Sequence, residues 1–255
     1  MGVLADWAKQ VGGERVQVTG LLTGNESPHT YEVKPQDAQR IVEADILFRV
    51  GLGMEEWLDP VIASSGNKRL VTVDVAAGIT DILQGDEHDR YGNPHVWLDP
   101  EYAKTGIENL VNELVKLDPK GESLYRLREA AYFRQLDSLS SAIRTQVAEL
   151  SDRRFISFHD AWPYFARRFG LEVVATIEPI PGQEPSAKEL ARLVDLIRRE
   201  HVKVITSEPQ LPSALPEMLA RETGVKVVVL HPLESEGGYI QALGRSARAL
   251  TDALR

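Results

Sequence analysis

From Glu122 to Leu150 the sequence runs without a single glycine or proline, and apolar residues recur through it at helical spacing. The stripe reads Leu124, Leu127, Ala131, Leu136, Leu139, Ile143, Val147, Leu150. A helix of that length measures on the order of 40 Å at 1.5 Å per residue, the width of a whole domain rather than of one layer. It is too long to pack inside a single small sheet-and-helix unit. This stretch therefore predicts a rod that spans two lobes, and it restricts the fold more than any other part of the chain.

On either side of the rod, short Val/Ile/Phe-rich runs alternate with amphipathic ones. Before it, strands are expected at 15–22, 46–50 and 70–73, and helices at 4–11, 35–44, 54–63 and 100–117. After it, strands are expected at 155–158, 173–177, 202–206 and 225–230, and helices at 161–169, 186–200, 213–223 and 239–254. Alternation at this spacing gives βα units and mostly parallel sheets. Two ends are marked by local chemistry. Asp99-Pro100 supplies an N-cap and a first-turn proline, and Ser186 with Glu189 three residues on forms a capping box. The fold class is α/β: an N-terminal lobe over 1–119, a linking helix over 120–151 and a C-terminal lobe over 152–255. The chain's 255 residues and 43% apolar content suffice for two such cores.

The charge balance excludes some partners. A formal net charge of -9 with no basic patch argues against nucleic acid, whose phosphates need Lys/Arg clusters. The absence of cysteine removes disulfides, thiolate catalysis and every cysteine-based metal site. No apolar run approaches the roughly 18 residues of a membrane span. Met1-Gly2-Val3-Leu4-Ala5-Asp6 does not read as a signal segment. No phosphate-binding Gly-x-x-x-x-Gly-Lys-Ser/Thr loop is present, so the chain carries no ATPase of that type.

The chain has six histidines, and four of them sit at junctions between elements: His29, His95, His159 and His231, separated by 66, 64 and 72 residues. In open α/β sheets ligand groups gather at the carboxyl ends of strands. His159 and His231 each follow a strand directly, His29 follows one by a short loop, and His95 precedes a helix. Two imidazoles from each lobe facing a common cleft suit zinc, which takes nitrogen donors in a tetrahedral shell. Taken singly, any one of them is equally an ordinary loop histidine with one hydrogen bond. His88, in the acidic loop Gly85-Asp86-Glu87-His88-Asp89, and His201 read as solvated, and Trp97 and Trp162 as packing beside the site.

Several motifs fall in the order found in a known group of proteins: Gly12-Gly13, Pro28-His29-Thr30-Tyr31-Glu32, Gly51-Leu52-Gly53-Met54-Glu55, Asn93-Pro94-His95-Val96-Trp97-Leu98-Asp99-Pro100, His159-Asp160-Ala161-Trp162, Glu184-Pro185-Ser186 and Ser207-Glu208-Pro209-Gln210. Over nearly its whole length the chain resembles the solute-binding receptors of ABC importers for zinc and manganese. The resemblance implies two α/β lobes on a rigid helix. It also implies metal ligation by His29, His95 and His159, capture of the ion outside the cytoplasmic membrane, and delivery to a membrane permease by a monomer. A histidine at the third ligand position goes with zinc and a glutamate with manganese, so Zn(II) is the expected cargo and Mn(II) the lesser one.

Two departures from that pattern stand out. The fourth ligand of the family is an aspartate before Pro-Leu, where this chain has His231. Four neutral imidazoles leave the charge of a dication uncompensated, so carboxylates are expected just outside the ligands, with Glu32, Asp160 and Glu208 as candidates. His231 either completes the shell or leaves the fourth corner to water. The family also has an apolar strand before its first helix, whereas this sequence begins within that helix; a lobe truly lacking the strand would expose a sheet edge, so a trimmed N-terminus is the expectation. The rival function is a zinc hydrolase with an open three-histidine site and Glu32 or Glu208 as general base.

Overall fold

The computed structural model describes residues 1–22, 26–85, 90–179, 182–233 and 236–255. In chain order it contains α1 (Gly2–Gly12), α2 (Pro35–Glu43), β1 (Ile46–Arg49), α3 (Leu58–Ser64), β2 (Val71–Asp74) and α4 (Pro100–Leu117), then the long α5 (Glu122–Ala148). The second half has β3 (Arg154–His159), α6 (Pro163–Phe169), β4 (Glu172–Glu178), α7 (Ala187–Glu200), β5 (Val204–Ser207), α8 (Ala214–Thr223), β6 (Lys226–Val229) and α9 (Tyr239–Leu254). All described strand pairs are parallel: β1 with β2 in the first lobe, and the order β4-β3-β5-β6 in the second.

Both marked helix starts form as their chemistry requires. The Asp99 carboxylate accepts from the Glu101 N–H at 2.9 Å. Ser186 Oγ accepts from the Glu189 N–H, and Glu189 Oε2 accepts from the Ser186 N–H at 2.7 Å. The helix expected from residue 54 begins instead at Leu58. Gly51, Leu52 and Gly53 all take left-handed φ angles, at 82°, 54° and 80°, and the buried Glu55 carboxylate accepts from the Val50 and Gly51 N–H groups. The turn thus absorbs the residues that would have made the first helical turn.

Among the described residues, 15–22 forms no strand. Residues 16–22 and strand β1 instead form facing walls of a cavity of about 640 Å³. Among the described residues β1 pairs with β2 alone, so the alternating run at 15–22 has no ladder to join.

The long rod is present, but its buried face differs at the start. Tyr125, Glu129, Tyr132, Leu136, Ser140, Ile143 and Val147 face the core, while Leu124 and Leu127 are exposed. The Tyr125 hydroxyl donates to Asp118 at 2.7 Å, and Tyr132 packs into the core with its hydroxyl towards Asp6. Two aromatic rings, each able to bury more area than leucine, set the rotation of the first turns. α5 packs against α1 and α4 on one side and α6 and α9 on the other. One continuous apolar core runs through α1, α4, α5, α6 and α9, and a smaller one lies under α7 and α8. Trp7 of the first lobe meets Tyr239 of the second edge to face at 5.2 Å, so the lobes share packing rather than a bare linker.

Candidate metal site

Three imidazoles meet at the top of the junction between the lobes. His159 is the last residue of β3, a strand paired on both sides, so the ladder itself aims it. His95 sits in a tight turn just before the one that leads into α4, with φ -77° and ψ 36°. His29 lies in a loop. A turn bonds the Thr30 N–H to the Ser27 carbonyl, Ser27 Oγ accepts from the His29 N–H, and Trp57 Nε1 donates to the Pro28 carbonyl at 3.0 Å. Tyr31 packs on Trp57 at 4.9 Å between ring centres and donates its hydroxyl proton to Asp37, which caps α2.

His29 Nε2 is 3.1 Å from His95 Nε2, and His159 Nε2 is 3.2 Å from the same atom. Nitrogens bound 2.0–2.1 Å from a tetrahedral zinc lie about 3.3 Å apart. The ligand atoms of all three rings fall within 4.8 Å of one another. Burial pushes the His29 pKa down to about 3, helped by the nearby His159, and holds His95 well below the ordinary value, helped by both neighbours. Both rings are therefore neutral and carry a lone pair, as metal ligation requires. A small cavity of about 10 Å³ adjoins the triad, walled by Ser27, Pro28, Gln210, Leu211, Pro232 and Leu233 besides the histidines.

Two carboxylates stand behind the rings. Glu208, buried at the end of the β5 strand, places Oε1 2.7 Å from His159 Nδ1. The approach is too bent for an aligned hydrogen bond, since that nitrogen has no hydrogen-bond partner. The Glu208 carboxylate is held by donors from Trp162 Nε1 at 3.3 Å and Gln210 Nε2 at 2.7 Å. Asp160 is linked to His95 by Asn93, which bonds to both. Glu208 and Asp160 would offset part of the charge of a dication held by the three rings.

Two expected participants fall outside this arrangement. Glu32 is exposed and does not wall the site, because Tyr31 beside it turns inward to Trp57 and Asp37. His231 is not among the rings whose nitrogens converge. Its backbone N–H is held by Ser246 Oγ of α9 at 3.1 Å, and the next carbonyl, that of Pro232, accepts from Trp97 Nε1 at 2.8 Å. These two bonds fix the backbone where β6 ends, and Pro232 and Leu233 wall the cavity instead. His88 lies outside the described residues. His201 is exposed at the C-terminal cap of α7.

The sequence reading did not single out Asn93, Trp57 or Tyr164 as working parts. The Tyr164 hydroxyl donates to the Asn93 carbonyl at 2.8 Å and accepts from the Leu83 N–H at 3.0 Å, so a buried phenol of the second lobe braces the His95 loop. An asparagine two residues before a histidine, with a proline between them, is a visible signal. Which atoms it bonds depends on the other lobe.

The sequence matches the family described as zinc-uptake complex component A, periplasmic (ZnuA), over residues 1–253. It is 31% identical to the high-affinity zinc uptake system protein ZnuA of Bacillus subtilis over 98% of this chain and 84% of that one. The fold superimposes on a crystal structure of ZnuA with a TM-score of 0.91 and 32% identity, covering 100% of this chain and 97% of the other. It also superimposes on the solute-binding protein FpvC of Pseudomonas aeruginosa in complex with Mn2+, with a TM-score of 0.87 and 29% identity over 98% and 94% of the two chains.

Proposed function

This chain belongs to the ZnuA family of periplasmic zinc-uptake components, and on that premise we propose that it holds its cargo between His29, His95 and His159. The protein is a solute-binding receptor. It captures a divalent metal, Zn(II) foremost, outside the cytoplasmic membrane and delivers it to an ABC permease. The observation that carries the ligand assignment is the pair of 3.1 and 3.2 Å separations between Nε2 atoms, close to those in a tetrahedral zinc shell. Three nitrogen donors and no carboxylate in the first shell favour zinc over the harder Mn(II).

We place solvent at the fourth corner, on the side walled by Ser27, Gln210 and Leu211, because His231 is not among the rings whose nitrogens converge. The scale of that cavity, about 10 Å³, supports transport over hydrolysis, because it has room for about one water-sized group and none for an ester or peptide. Continuous packing between the lobes and along α5 favours release by shifts of loops rather than a wide hinge. The protein acts as a monomer.

Metal analysis of the purified protein with zinc and manganese in competition tests the reading. One zinc per chain with manganese excluded is the expected result, with no turnover of ester or peptide substrates. Absence of bound metal, or a preference for manganese, would overturn it.

A further inference from the structure

Asn93 has the most completely bonded side chain around the triad, and it is wholly buried. Its Oδ1 accepts from the His95 backbone N–H at 3.0 Å and faces His95 Nδ1 at 3.0 Å. Its Nδ2 donates to the Asp160 backbone carbonyl at 2.7 Å and to Asp160 Oδ2 at 2.8 Å. An amide has two lone pairs on oxygen and two protons on nitrogen, so every bonding position is used.

The partners settle which end is which. A backbone N–H only donates, so the end facing His95 is oxygen. A backbone carbonyl only accepts, so the end facing Asp160 is nitrogen. His95 Nδ1 then faces an acceptor and must carry the ring proton, which leaves the lone pair on Nε2. That is the atom shared by both short contacts in the triad. In the other tautomer, the ring's own proton would occupy the place of the ion.

We propose that Asn93 is a positioning residue that locks His95 in the Nδ1–H tautomer and ties it to the second lobe at Asp160. The proposal rests on the reading of the triad as the cargo site. Asp160 follows His159 directly in sequence, so one amide group spans from the His95 ring to the residue beside the His159 ring. It sets the separation of two ligands that come from different lobes, with ring centres 5.0 Å apart. The Asp160 carboxylate also polarises the amide, so part of its negative charge reaches His95 through Asn93. Docking of the lobes and readiness of the site for metal become one event.

Nitrogen-15 NMR of histidine-labelled, metal-free protein reads the tautomer directly. The wild type should show His95 as the Nδ1–H form alone, and Asn93→Ala should show a mixture with zinc affinity weaker by roughly 10- to 100-fold. Asn93→Asp keeps an acceptor for the ring but sets a carboxylate against both Asp160 oxygens, and should weaken zinc binding similarly. Adding Asp160→Asn restores a donor on the opposite side and should recover part of the loss. An Nε2–H form in the wild type, an unchanged tautomer in Asn93→Ala, or a double variant no better than Asn93→Asp would overturn the proposal. A wild type with a locked tautomer that binds no zinc would sink the cargo reading and leave the positioning role standing.

Discussion

The two lobes bring their histidines to the site by different physical means. The second lobe has a four-stranded parallel sheet, and His159 is the last residue of β3, an interior strand of it. Among the described residues the first lobe has a two-stranded sheet beside an open cavity, and His29 and His95 stand outside any ladder. Their orientation comes from side chains: Trp57 on the Pro28 carbonyl, Asn93 on His95, and Tyr164 and Asp160 from the opposite lobe. A ladder distributes its support over many backbone bonds, whereas these loops depend on single bonds that one substitution can remove. The second lobe thus acts as the template on which the first-lobe histidines are set.

Deleting a ligand tests the site itself and carries the largest expected effect. Structural zinc binding is worth about 10–16 kcal/mol over four ligands. Losing one nitrogen should therefore weaken affinity by roughly two to three orders of magnitude. His95→Ala should be the most damaging, since His95 alone touches both other rings through Nε2. Competition titration with a chelating dye measures it. Equal affinity for His95→Ala and wild type would remove the triad as the binding site, while His231→Ala should leave affinity unchanged.

Acid provides a second way to separate the lobes. His29 and His95, both of the first lobe, are held below the ordinary histidine value by burial, His29 at about 3. An unfolded chain takes up these protons near pH 6.5, whereas the folded one refuses them until far lower. Between those limits the unfolded state binds more protons, so stability falls as pH falls. The metal-free protein should be fully stabilised in this respect above pH 6.5 and lose stability progressively towards pH 3. Hydrogen exchange should show the first losses around residues 27–31 and 93–98. Early opening in β3 and β5 instead would reverse the assignment of template and dependent lobe.

The parts of the fold that could be read from sequence are those decided by local chemistry. Asp99-Pro100 and the Ser186–Glu189 box fixed their helix starts because caps are made by near neighbours. The uninterrupted run after Glu122 had to be one long helix. The misreadings share a cause, which is that a distant residue decided the outcome. The alternation in 15–22 found no strand to pair with. Tyr125 and Tyr132 outcompeted Leu124 and Leu127 for the core. Glu32 was turned out when Tyr31 turned in, and Asn93 could be recognised as a bridge only once Asp160 lay across from it. At the site, His29, His95 and His159 were visible as histidines at element ends, because topology alone brings such ends together. Position His231 obeyed the same rule, but bonds from Ser246 and Trp97 to its own backbone and that of Pro232 fixed its surroundings differently.

The smallest expected effect gives the sharpest test of the contrast between lobes. Trp57→Phe keeps a ring against Tyr31 and removes the indole N–H that holds the Pro28 carbonyl. The net worth of such a bond is about 1 kcal/mol. If the bond serves to place the His29 loop, that energy should appear in zinc affinity as a loss of roughly fivefold. The thermal midpoint of the metal-free protein should barely change, because the loop lies outside both sheets and outside the shared core around α5. The reverse outcome, a lower midpoint with affinity intact, would mean that Trp57 supports the fold and that His29 is aimed by something else. A loss in both would mean that loop and lobe are not separable, and the first lobe would be as rigid a platform as the second.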